Sequence, residues 1–408
     1  MVAEKRYMTA EEAAAALEIS RATLYAYVSR GLIRSEPAGA GTRAHRYYRE
    51  DIERLHARQK QRRNPAAAAQ QAAAAALHFG TPVLASGLTL IAQGHLYYRG
   101  RDVLELAQEQ TLEQVATLLW TGETREVLFS SVGALPEAVQ ALRPHLARLA
   151  PLERLQMVLP TSAAADAAAY DRRPRVLAQT GARILSLLVA VAAGEEAVGS
   201  GFVATLQRGW GVGGDKAARL LNAALVLCAD HELNVSSFTA RCVASAGSTL
   251  YGVVLAGLAA LQGTRHGGHT ARVAALLREV EAPQQARDVL AGRLRRGENI
   301  PGFGHRLYPK GDPRGRLLLQ LAAEVNAEHP ALTLAMAVVG AAHGLIGEFP
   351  TVDFGLVTAV SVLGLAAAEA LTLFALGRTA GWIAHAIEQI EDGRLIRPRA
   401  RYVGPLPS

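Results

Sequence analysis

The chain has 408 residues, enough for two or three domains, and half of them are hydrophobic, mostly Ala, Leu and Val with few aromatics, which favours packed helices over sheet. Its two cysteines, Cys228 and Cys242, exclude a disulfide framework and a cysteine zinc site and indicate a reducing compartment. No secretory signal is evident, and the longest uncharged apolar run, 354–368, is shorter than the roughly 20 residues of a membrane span, so we expect a cytoplasmic protein without membrane association.

Positive charge is concentrated at the N-terminus. The formal net charge is +7, and residues 1–64 alone hold thirteen Lys and Arg against eight Asp and Glu. A basic module followed by a nearly neutral body predicts a polyanionic partner for the module and a different ligand for the body.

Residues 5–63 show the pattern of two short helices, a hairpin and a third helix. N-caps are expected at Thr9 and Ser20, whose side-chain oxygens can accept from the first free N–H groups, and Gly31 can end the second helix. The expected ranges are helices over 10–17 and 21–30, a hairpin over 32–48 with its tip at 37–41, and a helix over 50–63.

These residues resemble the winged helix-turn-helix of the MerR and excisionase-like group. The similar segments are TAEEAA (9–14), ISRATLY (19–25) and RYY with EDI (46–52). The resemblance implies a DNA-binding domain over 1–63, whose second helix enters the major groove of double-stranded DNA. A basic module that docks another protein, or a relic, is the alternative. The residues implied to contact DNA are Arg21, Thr23, Tyr25, Tyr27 and Arg30 on the helix and Arg43, His45 and Arg46 on the wing.

Residues 64–76, NPAAAAQQAAAAA, are expected to form an alanine-rich linker. Beyond it, apolar residues recur with the 3.6-residue period of amphipathic helices, while strand-like alternation is confined to 87–98, a plausible small hairpin. The body is therefore expected to be mostly helical, with helices over 111–120, 183–192, 217–229, 250–261 and 270–280.

Gly209, Gly211 and Gly214 spell the GxGxxG pattern of dinucleotide sites. Such a site needs a buried strand before the glycines and a βαβ unit around them, and neither is visible in the sequence. We therefore predict a loop here rather than a nicotinamide site.

The segment 301–314, PGFGHRLYPKGDPR, is the most informative part of the chain. Gly302 and Gly304 allow tight turns and close approach to a ligand, His305 can donate to a carbonyl oxygen, and Arg314 can hold a carboxylate in a fork. An ordinary Gly/Pro loop has the same residue types. The order of residues, however, closely resembles the diagnostic loop of the citrate synthase family.

Further blocks of the chain resemble that family, in the family's order. The resemblance implies a mainly α, citrate synthase-like two-domain fold, with a large domain over 77–264 and 354–408, a small domain over 265–353, and the active site in the cleft between them. The blocks are GHLYYRGRDVLEL (94–106) with 111–122, DHELNVSSFTAR (230–241), TRHGGH (264–269), VDF (352–354), RTAGWIAH (378–385) and RPRARYVG (397–404).

The resemblance implies an acyl-CoA condensing enzyme that takes acyl-CoA as co-substrate and oxaloacetate as its second substrate, with no tightly bound cofactor and no metal. A carboxylate can remove the weakly acidic α-proton of a thioester only if the enolate oxygen receives a hydrogen bond. Asp353 fits the base, His266 the donor to the thioester oxygen, and His305 the group that polarises the ketone. Both histidines must then be neutral donors.

The substrate carboxylates need cations in planar, bidentate geometry. Arg314, Arg378 and Arg397 match the family's carboxylate-binding arginines, and His231 matches a further substrate-binding histidine. In the family the arginine at the Arg397 position reaches into the neighbouring subunit's site. This implies a homodimer with shared active sites, which also presents two recognition helices to a palindromic DNA site.

Each residue also has a plainer interpretation. Asp353 could cap the apolar segment that follows it, and the arginines could be solvated charges at helix ends. His266 and His269 could be a metal pair, although no nearby carboxylate or thiol completes a site. His385, in a matching block, is interpreted as structural.

The chain departs from the family pattern around two of these residues. Arg265 precedes His266 where a small or apolar residue is usual, and His269 and Thr270 differ from the residues that usually follow the two glycines. Gly355 stands where the family's Tyr-Ser-Gly begins. A cation at 265 could depress the pKa of His266 or bind a carboxylate or a CoA phosphate. The leading hypothesis is a synthase of citrate or 2-methylcitrate, using acetyl-CoA or propionyl-CoA. The rival is a metabolite-sensing transcriptional regulator with a catalytically impaired domain, and a structural protein is a third possibility.

Overall fold

The structure of the chain, a computed structural model, describes residues 7–38, 44–63, 83–123, 129, 134–405 and 407. The linker expected over 64–76 and the DNA-contact candidate Arg43 lie outside these residues. The chain divides into two compact units, Met1–Ala85 and Ser86–Ser408. The boundary of the small domain within the second unit stays a prediction.

Among its described residues, the first unit has three strands and three helices around its own small core. Their order confirms the predicted helix, turn, helix and hairpin, while the first strand was not predicted. Thr9 and Ser20 cap the first two helices as expected, and Glu12 returns a hydrogen bond to Thr9 in a capping box. The strands form an antiparallel sheet in the order β1-β3-β2. The elements are β1 Tyr7–Met8, α1 Ala10–Ala16, α2 Arg21–Ser29, β2 Ser35–Pro37, β3 His45–Tyr48 and α3 Arg49–Arg63.

An ion pair ties the start of the hairpin to α3. Asp51 is buried and accepts from the backbone N–H of Arg34 at 2.9 Å and from its Nε at 2.8 Å, while Arg34 Nη2 reaches the second oxygen at 3.0 Å. These hydrogen bonds from Arg34 hold the pKa of Asp51 below its ordinary value. The carboxylate thus keeps its charge in a site where an unpaired charge would be costly.

The second unit contains a small antiparallel sheet of β4 Thr89–Ala92, β5 His95–Tyr98 and β6 Arg101–Asp102, and the other regular elements of its described residues are helices. The predicted hairpin is confirmed, and β6 adds a third strand to it. The helices of this unit are α4 Val103–Glu109, α5 Leu112–Thr121, α6 Glu137–Leu146, α7 Pro151–Ala165, α8 Pro174–Ala193, α9 Phe202–Trp210, α10 Asp215–Leu227, α11 Val235–Ser245, α12 Leu250–Leu261, α13 Gly268–Val280, α14 Ala286–Arg295, α15 Pro313–Val325, α16 Pro330–Ile346, α17 Val352–Val362 and α18 Glu369–Asp392.

Helix α18 is the centre of the second unit, because it packs against α5, α8, α10, α11, α12 and α17. Its glycines permit this packing: a Cβ at Gly377 would collide with the Leu225 carbonyl oxygen, and one at Gly381 with Ala229 and Asp230. The end of α10 therefore lies directly on α18, which brings the chain around residue 230 to the buried side chain of Arg378.

Two helices correct details of the sequence analysis. Helix α8 begins nine residues before the predicted start at 183. It is long and apolar enough to span a membrane by length and composition, but 78% of its most apolar 18-residue window is buried inside the fold, as in the core helix of a globular protein. The GxGxxG glycines follow no strand, yet the prediction of a simple loop is wrong for Gly209, which lies in α9 against the backbone of Ala193.

Candidate active site

The loop over 301–308 is held against the segment that leads into α17. Gly302 and Gly304 have φ values of 85° and 77°, in the left-handed region that favours glycine. The Gly302 carbonyl accepts from the backbone N–H of Thr351 at 2.9 Å, and the Gly304 N–H donates to the Phe349 carbonyl at 3.0 Å. Because Thr351 directly precedes α17, the position of His305 is tied to that of Asp353.

Arg314 lies at the start of α15 and is buried with Asp312. Its Nε and Nη2 donate to the two oxygens of Asp312 at 3.0 and 2.9 Å, and Asp312 also accepts from the backbone N–H of Val352 at 3.0 Å. Burial opposes the charge on Arg314, but Asp312 holds its pKa above the ordinary value. Asp312 therefore occupies one edge of the guanidinium, whereas Nη1 makes no hydrogen bond with a described residue.

Tyr308 connects three predicted site residues. Its hydroxyl oxygen lies 2.9 Å from His231 Nε2, its ring centroid lies 5.0 Å from that of His305, and the Arg314 guanidinium lies 5.5 Å from the centre of the phenol ring. The His231 and His305 rings meet edge to face at 5.4 Å. Burial raises the pKa of Tyr308 to about 12, so the hydroxyl keeps its proton at neutral pH.

The neutral ring of His305 has the tautomer that can donate a hydrogen bond from Nε2 to a ketone oxygen. Its Nδ1 accepts from the backbone N–H of Leu307 at 3.2 Å, so the neutral ring carries its proton on Nε2. Burial, and after it the charge of Arg314, lowers the pKa of His305. The same two causes, together with Arg378 and His305, lower the pKa of His231 well below its ordinary value. Both imidazoles are thus neutral at physiological pH.

His266 precedes α13 and is held by Ser236 of α11, whose Oγ lies 2.9 Å from His266 Nε2. The Ser236 hydroxyl also lies 2.8 Å from Asn234 Oδ1, which already accepts the backbone N–H groups of Ser236 and Ser237 at 3.1 Å each. The single hydroxyl proton can therefore turn to Asn234 or to His266. In the second case Nδ1 carries the proton of the His266 ring.

Burial lowers the pKa of His266 to about 4, helped by Arg378 and by His269. Arg265 is not among these causes, which corrects the expectation that a cation at 265 could keep His266 neutral. Arg265 itself is exposed. The buried Arg378 of α18 adds to the lowering of the His266 pKa, which is the effect that was expected from Arg265.

Asp353 lies in the first turn of α17, with Thr351 at the N-cap position that the plainer interpretation gave to Asp353. Burial raises its pKa to about 6, the opposing charges of Arg314 and Arg378 only partly offset this, and Asp312 reinforces it. Its carboxylate makes no side-chain hydrogen bond with a described residue. It is therefore a stronger base than an ordinary aspartate and is free to accept a proton.

Arg378 is fully buried and donates from Nε to the Cys228 carbonyl at 2.7 Å. Burial lowers its pKa, and its charge in turn lowers the pKa of His231, His266 and Asp353. Arg378 therefore shares one electrostatic environment with the predicted base and two of the predicted histidines. His385 of the same helix is buried 3.2 Å from Asp230, in keeping with a structural role.

Arg397 is not brought into this group. It is exposed in the segment without regular secondary structure after α18 and makes no ion pair with a described residue. No cluster of three or more His, Cys, Asp or Glu that could hold a metal occurs in the described part of the chain. His269 is half-buried at the start of α13.

Several of the predicted DNA contacts have structural partners in the first unit. Thr23 bonds to Ser20 at the start of α2, Tyr27 packs on the core, and Arg46 pairs with Glu36 at 2.6 Å. The exposed candidates are Arg21, Tyr25, Arg30, His45 and Arg46. Arg21 also pairs with Glu11 at 3.3 Å.

Sequence reasoning missed the side chains that hold the predicted ones in place. Tyr308 and Asp312 lie inside the loop motif, and Asn234 and Ser236 lie inside the block over 230–241, so the motifs contained them without assigning a contact. Only the fold shows that Tyr308 reaches His231 and that Ser236 reaches His266.

Comparisons with known proteins show the family to which the chain belongs. Residues 77–399 match the family model described as citrate synthase, C-terminal domain, and residues 7–60 match a helix-turn-helix domain. The chain is 30% identical to the 2-methylcitrate synthase of Shewanella oneidensis, over 80% of this chain and 91% of that protein. It is 32% identical to the citrate synthase of Haloferax volcanii, over 76% and 90% of the two chains.

Solved structures show the same fold. The citrate synthase of Thermotoga maritima matches with a TM-score of 0.69 at 26% identity, over 81% of this chain and 95% of that one. The ternary complex of carboxymethyl coenzyme A and oxaloacetate with the citrate synthase of Thermoplasma acidophilum matches with a TM-score of 0.70 at 25% identity, over 80% and 95%. The chain therefore belongs to the citrate synthase family, as a citrate synthase-like enzyme with a helix-turn-helix domain at its N-terminus.

Proposed function

We propose that the enzyme condenses acetyl-CoA or propionyl-CoA with oxaloacetate to give citrate or 2-methylcitrate and free CoA. The observation that carries this proposal is the half-buried carboxylate of Asp353, with a pKa of about 6, in the field of Arg314 and Arg378. Acyl-CoA is then a co-substrate, and no tightly bound cofactor is needed for this chemistry.

In the proposed reaction Asp353 removes the α-proton of the acyl-CoA while His266 donates a hydrogen bond to the thioester oxygen. The resulting carbon nucleophile attacks the ketone of oxaloacetate, and His305 Nε2–H donates to the ketone oxygen as negative charge develops there. Water then hydrolyses the thioester of the product and releases free CoA. Hinge closure of the expected small domain over the cleft would exclude bulk water until the condensation is complete.

Ser236 supports the role proposed for His266. Since Nε2 faces Ser236, the ring must donate from Nδ1, and this requires that Nε2 accept the Ser236 hydroxyl proton. Asn234 Oδ1 keeps two backbone donors when that hydroxyl turns away, so the change leaves no buried polar group unsatisfied.

Arg314, Arg378 and His231 are proposed to bind the carboxylates of oxaloacetate, with Arg397 supplied by the second subunit of a homodimer. A mixed dimer tests the shared site. If one subunit carries Asp353→Asn and the other Arg397→Ala, one of the two sites regains both groups, but only when Arg397 acts across the interface. Recovery of about half the wild-type activity supports the shared site, and no recovery refutes it.

The reaction is tested by following free thiol release from acetyl-CoA, and separately from propionyl-CoA, in the presence of oxaloacetate. We expect release that depends on both substrates, is abolished by Asp353→Asn, and is retained by Asp215→Asn, an exposed aspartate of α10. Release no greater than background with both donors would refute the proposed synthase. It would leave the alternative, a metabolite-sensing regulator with an inactive domain.

A second function, binding of double-stranded DNA by residues 1–63, is favoured by the helix-turn-helix match and by the exposed Arg21, Tyr25 and Arg30 of this unit. Binding of the full chain to its own promoter region should weaken steeply between 50 and 200 mM salt, by roughly 10³ for about six phosphate contacts. Arg30→Ala should weaken it, whereas Arg54→Ala, on the exposed surface of α3, should not. Binding that is absent or insensitive to salt refutes this function. Retardation of the DNA by the protein that is unchanged by CoA esters or oxaloacetate argues against the metabolite-sensing regulator. A cytoplasmic location, where DNA and CoA esters meet, remains a prediction.

A further inference from the structure

A cavity of about 220 Å³ lies between α7, α8 and Tyr251 of α12. Segments 134–136 and 197–198 close it, and the backbone N–H of Leu135 donates to the Glu196 carbonyl at 2.9 Å beside it. None of the residues proposed above for catalysis or substrate binding lines this cavity.

The charged groups of this cavity cancel each other. Asp166 accepts from Arg183 Nη2 at 2.9 Å, from the Tyr251 hydroxyl at 2.9 Å, and from the Ala168 N–H at 2.9 Å. Burial opposes the charge of Asp166, but these donors hold its pKa below the ordinary value. Arg183 donates further to Thr180 at 2.7 Å, while its Nη1 makes no hydrogen bond with a described residue.

Helices α7 and α8 each contribute a serine that lies about one helical turn from a charged residue of the cavity. Ser162 precedes Asp166 by four positions on α7, and Ser186 follows Arg183 by three positions on α8. Both serines are at least 97% buried, both residues line the cavity, and neither hydroxyl has a hydrogen-bond partner among the described residues. A buried hydroxyl without a partner is unfavourable, so two of them beside one cavity are a pair of polar groups that a bound molecule can satisfy.

We propose that this cavity binds a small neutral molecule with a carbonyl oxygen on a short hydrocarbon body. The free donors of Ser162, Ser186 and Arg183 require an acceptor, and the side chains of Leu135, Leu187 and Val198 provide apolar walls. A carboxylate would add a second, unbalanced negative charge beside Asp166, which burial makes costly. The cavity is smaller than the roughly 300–1,000 Å³ of sites for drug-sized ligands, which restricts the occupant to a short chain.

Butyramide is a suitable probe, and butyrate is its charged counterpart of the same shape. Ligand-detected NMR titration of the full-length protein should show saturable binding of butyramide and at least tenfold weaker binding of butyrate. In the double variant S162A/S186A, butyramide affinity should fall about tenfold, equivalent to about 1.4 kcal/mol. Removal of two unpartnered hydroxyls should leave the fold intact, which circular dichroism checks, and thiol-release activity should not change.

Three outcomes would overturn the proposal: no saturable butyramide binding, equal binding by the double variant, or tighter binding of butyrate. Ala190→Leu provides a second test, because Ala190 lines the cavity and the larger side chain fills it. A folded Ala190→Leu protein that binds butyramide as the wild type does would show that the probe binds elsewhere. A crystal soaked with butyramide that shows only water at the serines would refute the site directly.

Discussion

The burial of Asp353 should lower the stability of the folded protein, and the substitution Asp353→Asn should reveal this. In the folded chain the pKa of Asp353 is raised from 3.8 to about 6, so folding favours the protonated form. Stability from this group is fully present below the unfolded pKa of 3.8 and is lost as the pH rises through about 6. At 1.36 kcal/mol per pKa unit, the loss above pH 7 is about 3 kcal/mol.

Asparagine has a similar shape and no charge, so Asp353→Asn should raise the free energy of unfolding by about 2–3 kcal/mol at pH 8 and by about half as much at pH 5. Urea unfolding at the two pH values measures this, and thiol release on the same samples should fall at least about a thousandfold. Asp215→Asn, at an exposed position, should show neither effect. An Asp353→Asn protein that is equally stable at both pH values, or less stable at pH 8, would refute the pKa argument, and one that keeps its activity would refute the role of base.

Three other perturbations test the site. Tyr308→Phe keeps the ring but removes the hydroxyl bound to His231, so kcat/KM for oxaloacetate should fall about 5- to 150-fold, the equivalent of about 1–3 kcal/mol, and an unchanged value would contradict the positioning role. The acid limb of kcat/KM should lie near pH 6, because Asp353 must be ionised in the free enzyme; a limb near pH 4 would point to another base. Gly302→Ala should lower stability in urea by about 1–3 kcal/mol more than Gly297→Ala, since both have positive φ but only a Cβ at 302 meets a neighbour within 3.0 Å.

Local chemistry is what made much of the fold predictable from the sequence. Thr9, Ser20 and Gly31 mark helix ends through hydrogen bonds and backbone conformations that involve only a few neighbouring residues. The start of α8 was missed for the opposite reason. Its first half contains Thr180 and Gly181, which interrupt the apolar period, and only packing against the rest of the fold buries them.

The site follows the same division between near and distant contacts. The Asp312–Arg314 pair spans two residues and lies within one motif, whereas the contact of His231 with Tyr308 spans 77 residues and that of Ser236 with His266 spans 30. The motif resemblance supplied candidate residues, but the partners that set their tautomers and charges come from other elements. The lowered pKa of His266 shows this: burial is its main cause, and the cation that adds to it is Arg378 of α18 rather than the adjacent Arg265.

Asp312 resolves a conflict within the site. Burial raises the pKa of a carboxyl group and lowers that of an imidazole, as the chemistry requires, but the nearby arginines lower both. The charge of Arg314 therefore opposes the basicity of Asp353, and Asp312, paired with Arg314, offsets that effect. Asp312→Asn keeps the shape and one acceptor oxygen while removing the charge, so it should lower the pKa of Asp353 and move the acid limb of kcat/KM below pH 6. If the limb stays in place while the protein remains folded, Asp312 only caps α15, and burial alone sets the strength of the base.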